Sequence, residues 1–200
     1  MTDTGPEQAT RGAVEPASPW RKALQSRGLR LLFLVIVLGI AFATWFHVSG
    51  GAGALQDKLG HAAPLVLVGV IGIVSTTPLP SELIAIPMTG VYGFWLGALI
   101  IWVAWWLASF LQYYVARRTA RDFNFEQARS RLPRWLRRFP VSHPAFLICA
   151  RWFPWGPHLV NTAAGVFGVA LVRHGWCAAL SIVPQALVFS AVGNAIVRLW

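Results

Sequence analysis

Two proline breaks set inside long apolar sequence constrain this chain more than any other feature. The first is Pro78-Leu79-Pro80-Ser81-Glu82; the second is Arg151-Trp152-Phe153-Pro154-Trp155-Gly156-Pro157. Proline lacks a backbone N–H and clashes with the preceding turn, so Pro78, Pro80, Pro154 and Pro157 interrupt what otherwise reads as membrane helix. Each break carries one ionisable group. Glu82 is the only acid between Asp57 and Asp122, and Arg151 opens the second break. A charge at membrane depth costs at least ~2.5 kcal/mol on insertion scales, which makes both residues functional candidates.

The chain is 56% hydrophobic and 12% charged, about half the charged fraction of a soluble domain. Its apolar runs reach membrane-spanning length, so the fold class is an all-α polytopic membrane protein. The net charge of +10 does not point to nucleic acid. Five basic residues precede the first apolar run and eight lie between Arg117 and Arg138, a clustering that fits the positive-inside rule and contact with anionic lipid. Cys149 and Cys177 lack metal spacing and read as small core residues.

In chain order, residues 1–30 read as a disordered, basic, cytoplasmic tail. Residues 31–48 form a first transmembrane helix; the run starts late and ends in a weak cleavage signal, which argues against a signal peptide. Residues 49–61 read as a Gly-rich outside loop. A membrane domain then covers 60–197, as repeat A (62–116), a basic connector (117–142) and repeat B (143–197). In repeat A, 62–74 is a short half-helix, the break follows, a second half begins at Glu82, and 94–116 is a full span. Repeat B has a short apolar piece at 144–150, the second break, a half-helix at 159–172, a turn at Arg173 and His174, and a last span at 175–197. With the first helix, this gives about three full spans. The tryptophans Trp102, Trp105 and Trp106 read as lipid-facing, and Tyr113, Tyr114, Arg117 and Arg118 as interfacial anchors. The connector mixes aromatic residues with arginines, as a helix in the headgroup plane does.

The halves repeat. Thr89-Gly90-Val91-Tyr92-Gly93 corresponds to Ala164-Gly165-Val166-Phe167-Gly168, and each follows a break and leads into a long helix. Gly90, Gly93, Gly165 and Gly168 read as close-packing positions. Charge placement makes the two Pro-broken hairpins re-entrant from opposite faces, an inverted repeat whose tips meet near the midplane, where transporter binding sites lie.

Four residues could carry the chemistry. Glu82 is a proton carrier or counter-charge, or an acid at a helix start beside Ser81. Arg151 binds phosphate or a lipid headgroup, or pairs with Glu82 as a structural bridge. Asn161 bonds a ligand or satisfies freed carbonyls. His158 relays protons or caps a helix. No Gly-rich phosphate loop, metal-ligand cluster or Ser-His-acid set is present, so neither enzyme activity nor a cofactor is expected. Membrane lipids are the expected partners, with a homo-oligomer compatible and nucleic acid excluded.

At these residues the chain resembles the DedA family and the wider SNARE-associated (VTT) domain superfamily. The matching features are Pro78-x-Pro80-Ser81-Glu82, Gly90, Gly93 and Gly97, then Tyr113-x-x-Ala116-Arg117, then Arg151-x-x-Pro154 with Asn161, Ala164 and Gly165, and finally Pro184 and Gly193. The family usually has glycine at the position of Ala116 and often an acid upstream of the first break, where this chain has Ile73 and Ser75. The resemblance implies an inner (plasma) membrane protein with two opposed re-entrant hairpins. It also implies translocation of a phospholipid or polyprenyl phosphate, with Glu82 and Arg151 essential. The expected function is translocation of an anionic lipid; the alternative is a non-transporting scaffold or assembly factor with a structural Glu82–Arg151 pair.

Overall fold

The structure, a computed structural model, describes residues 27–77, 79–123 and 140–199. The first part of the tail, Pro78 and the connector from 124 to 139 lie outside the described residues.

Helix α1 (Arg27–Val48) is the first span. Asp122 Oδ2 accepts a hydrogen bond from the Gly28 N–H at 2.8 Å, placing an acceptor where a helix N-terminus has unpaired donors. The expected loop at 49–61 is instead helical. Gly50 and Gly51 turn the chain at φ 89° and 74°, and α2 (Gly51–Leu59) follows, with Ala52 and Leu55 buried against the core. A 3₁₀ turn (Gly60–Ala62) joins it to α3 (Ala63–Val74). Apolar residues at i and i+3 gave α2 a face to bury, which outweighed its glycine content. The short half-helix is therefore the end of a 24-residue segment, Gly51–Val74, itself long and apolar enough to cross a membrane. Four such segments exist among the described residues, the three expected full spans and this one.

Helix α4 (Glu82–Asp122) has 41 residues, about 60 Å if straight and twice the thickness of a hydrocarbon core. It is not straight. Gly93 sits at φ 76°, ψ 177°, a conformation open essentially to glycine alone. There the chain folds back: a Cβ at Gly97 would stand 3.1 Å from the Thr89 Cα, where a straight helix separates residues eight apart by about 12 Å. The short arm (82–92) thus runs antiparallel to the long arm (94–122), which continues past the expected end at 116. Helix α3 precedes the turn at 75–81 and packs on the same long arm, with Gly72 against Ala104. The first break is therefore the tip of a helical hairpin.

The second half is built alike. Helix α5 (Pro144–Cys149) and a 3₁₀ turn (Ala150–Trp152) lead to the tip, and α6 (Gly156–Val166) returns from it, shorter than the expected 159–172. Gly168, at φ 68°, reverses the chain into α7 (Leu171–Leu199), which takes in Arg173 and His174. Contacts of Trp106 with Gly175, Trp102 with Ala179 and Phe94 with Ser190 set α7 antiparallel to the long arm. The two long helices oppose each other, and so do the hairpins attached to them. The repeated glycines divide one task between them. Gly90 and Gly165 allow close approach, to Val197 and to the Tyr113 carbonyl. Gly93 and Gly168 supply the positive φ.

Each hairpin has its own core. Leu67, Ile71, Ile84, Met88 and Ile101 pack the first, with Ala178 and Ile182 of α7. Leu147, Val160, Ala164, Val169, Cys177 and Tyr113 pack the second. The long arm of α4 enters both, and between them the polar side chains collect.

Candidate functional site

Both tips rest against the middle of the long arm. Trp105 Nε1 donates to Ser81 Oγ at 3.1 Å, and Gln112 Nε2 donates to the Ser75 carbonyl at 2.8 Å. Gln112 also reaches the other hairpin, 2.8 Å from His158 Nδ1, and its Oε1 accepts from Asn161 Nδ2 at 2.6 Å. A cavity of about 500 Å³ lies at this junction. Glu82, Arg151, His158 and Asn161, singled out from sequence on four separate grounds, all line it, together with Gln112 and Gln185. Pro154 and Pro157 line it too, and Pro80 stands in the first tip.

Arg151 is only 2% exposed. Its Nε donates to the Leu147 carbonyl at 3.1 Å, and one terminal nitrogen donates to Asn161 Oδ1 at 2.5 Å. Its own carbonyl accepts from Gln185 Nε2. Of the five N–H groups of a guanidinium, the remaining three have no protein partner among the described residues. Asn161, 3% exposed, holds the arginine and Gln112 rather than freed carbonyls. Glu82 is half-buried at the start of α4. No ion pair joins Glu82 to Arg151 among the described residues: the guanidinium is turned toward partners on its own hairpin. Ser81 makes no side-chain cap for Glu82's helix; its hydroxyl oxygen accepts from Trp105. The tip between Arg151 and α6 exposes Trp152, Phe153 and Trp155 at the cavity mouth. Trp155 adopts φ 62°, an uncommon conformation for a bulky residue.

Several side chains face inward where composition read them outward. Trp102 and Trp106 donate to the carbonyls of Ala179 and Gly175, both at 2.9 Å, and with Trp105 they bind the long arm to its neighbours. An indole N–H facing hydrocarbon would have no acceptor. Tyr113 is buried, its hydroxyl donating to the Val169 carbonyl at 2.6 Å and accepting from Arg117 at 3.0 Å, while Tyr114 keeps the exposed position of an anchor. Cys149 is exposed and only Cys177 is a core residue. Gln112 and Gln185 were missed; the available signal was an amide inside an otherwise apolar span, the same kind of signal that picked out Asn161. Among the described residues no group of His, Cys, Asp and Glu is placed to hold a metal ion.

No curated protein and no solved structure gives a significant match to this chain. The profile of the VTT domain matches residues 79–195, which is more than half of the chain and runs from the first tip to near the end of α7. Four apolar segments of spanning length accompany that match. This is a multi-pass membrane protein, and it belongs to the family of the VTT domain, the DedA/SNARE-associated domain.

Proposed function

We propose that this protein translocates an anionic lipid, a phospholipid or a polyprenyl phosphate, across the inner membrane, and that it is not an enzyme. One observation carries the reading. Arg151 is almost fully buried, lines the chamber, and keeps three N–H donors unused by protein. A buried cation with unspent donors matches an anionic group, which accepts short, strong, charge-assisted bonds from arginine. In this reading the hairpins are re-entrant, their tips share the midplane, and the basic end of the bundle with the N-terminus is cytoplasmic. Glu82, across the chamber and unpaired with Arg151 among the described residues, acts as gate or coupling group. The scaffold alternative draws its support from a Glu82–Arg151 bridge, and that bridge is missing.

The test is translocation of a fluorescent phospholipid and of an anionic polyprenyl lipid in proteoliposomes. Wild type, Arg151→Gln and Glu82→Gln are compared, with folding checked by thermal denaturation. Transport in wild type, lost tenfold or more in a folded Arg151→Gln protein, is the expected result; that loss corresponds to one charged hydrogen bond of about 1.5–3 kcal/mol. Wild-type rates in the folded Arg151→Gln protein would overturn the reading.

A further inference from the structure

A second cavity, of about 420 Å³, lies toward the basic end of the bundle. Its walls are mostly apolar, with Leu32 and Val35 from α1, Leu111 and Val115 from α4 and Val166 from α6. Two residues line both cavities, Gln112 and His158, and they are hydrogen-bonded to each other at 2.8 Å. Beside them the first tip contributes Ser75 to the polar chamber and Thr76 to the apolar one. The Gln112–His158 bond is thus part of the partition between the two spaces.

The direction of every bond in this network is fixed from one end. Arg151 has no acceptor, so the oxygen of the Asn161 amide must face it. The Asn161 NH₂ then donates to Gln112 Oε1. That leaves the Gln112 NH₂ to face both the Ser75 carbonyl and His158 Nδ1. His158 Nδ1 must therefore accept, and the neutral ring carries its proton on Nε2. A proton added at Nδ1 would set two donors against each other. Gln112 cannot rotate its oxygen toward the ring without turning its NH₂ against Asn161, whose own orientation Arg151 holds.

We propose that the Gln112–His158 bond is a proton-released gate between the polar and apolar chambers, with Arg151 and Asn161 as the positioning residues that prevent it from re-forming once His158 is protonated. The proposal rests on the transport reading, since a gate needs something to pass. The charged groups facing His158 are Glu82 and Arg151, both lining the polar chamber; α1, α7 and the rest of α4 beyond Glu82 present only neutral side chains to the two cavities. Burial of His158 disfavours the added proton, and the nearby Glu82 carboxylate partly offsets that. An anionic lipid bound at Arg151 would bring a further negative charge into the chamber that His158 lines and so favour opening.

The test reads the gate without reading transport. Thr76→Cys places a thiol on the apolar side at a position 9% exposed, in a Cys149→Ser, Cys177→Ala background. Labelling by a water-soluble maleimide is followed from pH 8 to pH 5.5 in detergent, each rate normalised to a free cysteine peptide at the same pH. The expected result is a normalised rate that rises tenfold or more on acidification. In His158→Phe, which cannot take the proton, the rate does not depend on pH. In Gln112→Glu, whose carboxylate can accept from the protonated ring, the rate stays low in acid. A flat profile with the native gate overturns the proposal, and so does an unchanged rise in a folded His158→Phe protein. Nitrogen NMR of histidine-labelled protein, with His158→Gln for assignment, supplies a second reading: a neutral ring protonated on Nδ1 also overturns it. If wild type moves no lipid while the labelling behaves as expected, the transport reading has failed and the gate stands.

Discussion

Replacing Gly93 by alanine isolates the conformation on which the first hairpin depends. An added Cβ at Gly93 meets nothing within 4 Å, so no clash contributes. What remains is backbone strain at φ 76°, ψ 177°, a region that costs a non-glycine residue about 1–3 kcal/mol. The control is Gly69→Ala. Gly69 lies within α3, has no atoms near its Cβ position and has ordinary helical geometry. Alanine there gains about 0.5–1 kcal/mol of helix propensity. The two substitutions add the same methyl group to open space and are expected to differ in stability by about 1.5–4 kcal/mol with opposite signs. Reversible unfolding from mixed micelles, followed by the fluorescence of the 11 tryptophans, measures both. If Gly93→Ala lies within about 0.5 kcal/mol of wild type, the range of an uninvolved surface change, the chain does not reverse there and the placement of the first tip against α4 fails with it.

Three further outcomes follow from the same contacts. Asn161→Leu strips Arg151 and Gln112 of a partner each, and is expected to cost about 2–4 kcal/mol in unfolding measurements, one charged and one neutral hydrogen bond. Tyr113→Phe leaves the buried Val169 carbonyl without its donor, a loss of about 1–3 kcal/mol seen as a lowered melting temperature. Trp106→Phe removes the indole donor to the Gly175 carbonyl, which keeps its intrahelical bond, and is expected to cost about 1 kcal/mol, while Trp176→Phe, on the exposed face of α7, changes stability by less than about 0.5 kcal/mol.

The parts of this fold legible in sequence were those with a local cause. Proline punctuation located both tips, because a missing donor leaves its mark within a few residues; the repeated glycines were conspicuous too, but Gly93, read as a close-packing position, has nothing within 4 Å and supplies a positive φ instead. The four polar residues of the chamber were legible for a related reason: a charge or amide in apolar sequence is conspicuous whatever it touches. What sequence could not supply was the facing of apolar helices. In a soluble protein the polar stripe marks the outside, but lipid and protein interior are equally apolar, so periodicity does not tell them apart. Trp102, Trp105, Trp106 and Tyr113 were misplaced on that account, and Cys149 was assigned a core it does not enter. Gln112 was overlooked because its role exists only between hairpins more than thirty residues away on either side, at Ser75 and His158.

Helix α1 lies outside the stretch that matches the VTT domain, yet it supplies Leu32 and Val35 to the apolar cavity and is clipped to Asp122 at its start. The polar cavity takes no residue from it. Under the proposed transport reading, the tail and the headgroup of a lipid would thus meet different linings, one that α1 helps to build and one that it does not touch. On that reading, exchanging α1 for another first helix would change the preference for hydrocarbon tails and leave the headgroup contact intact.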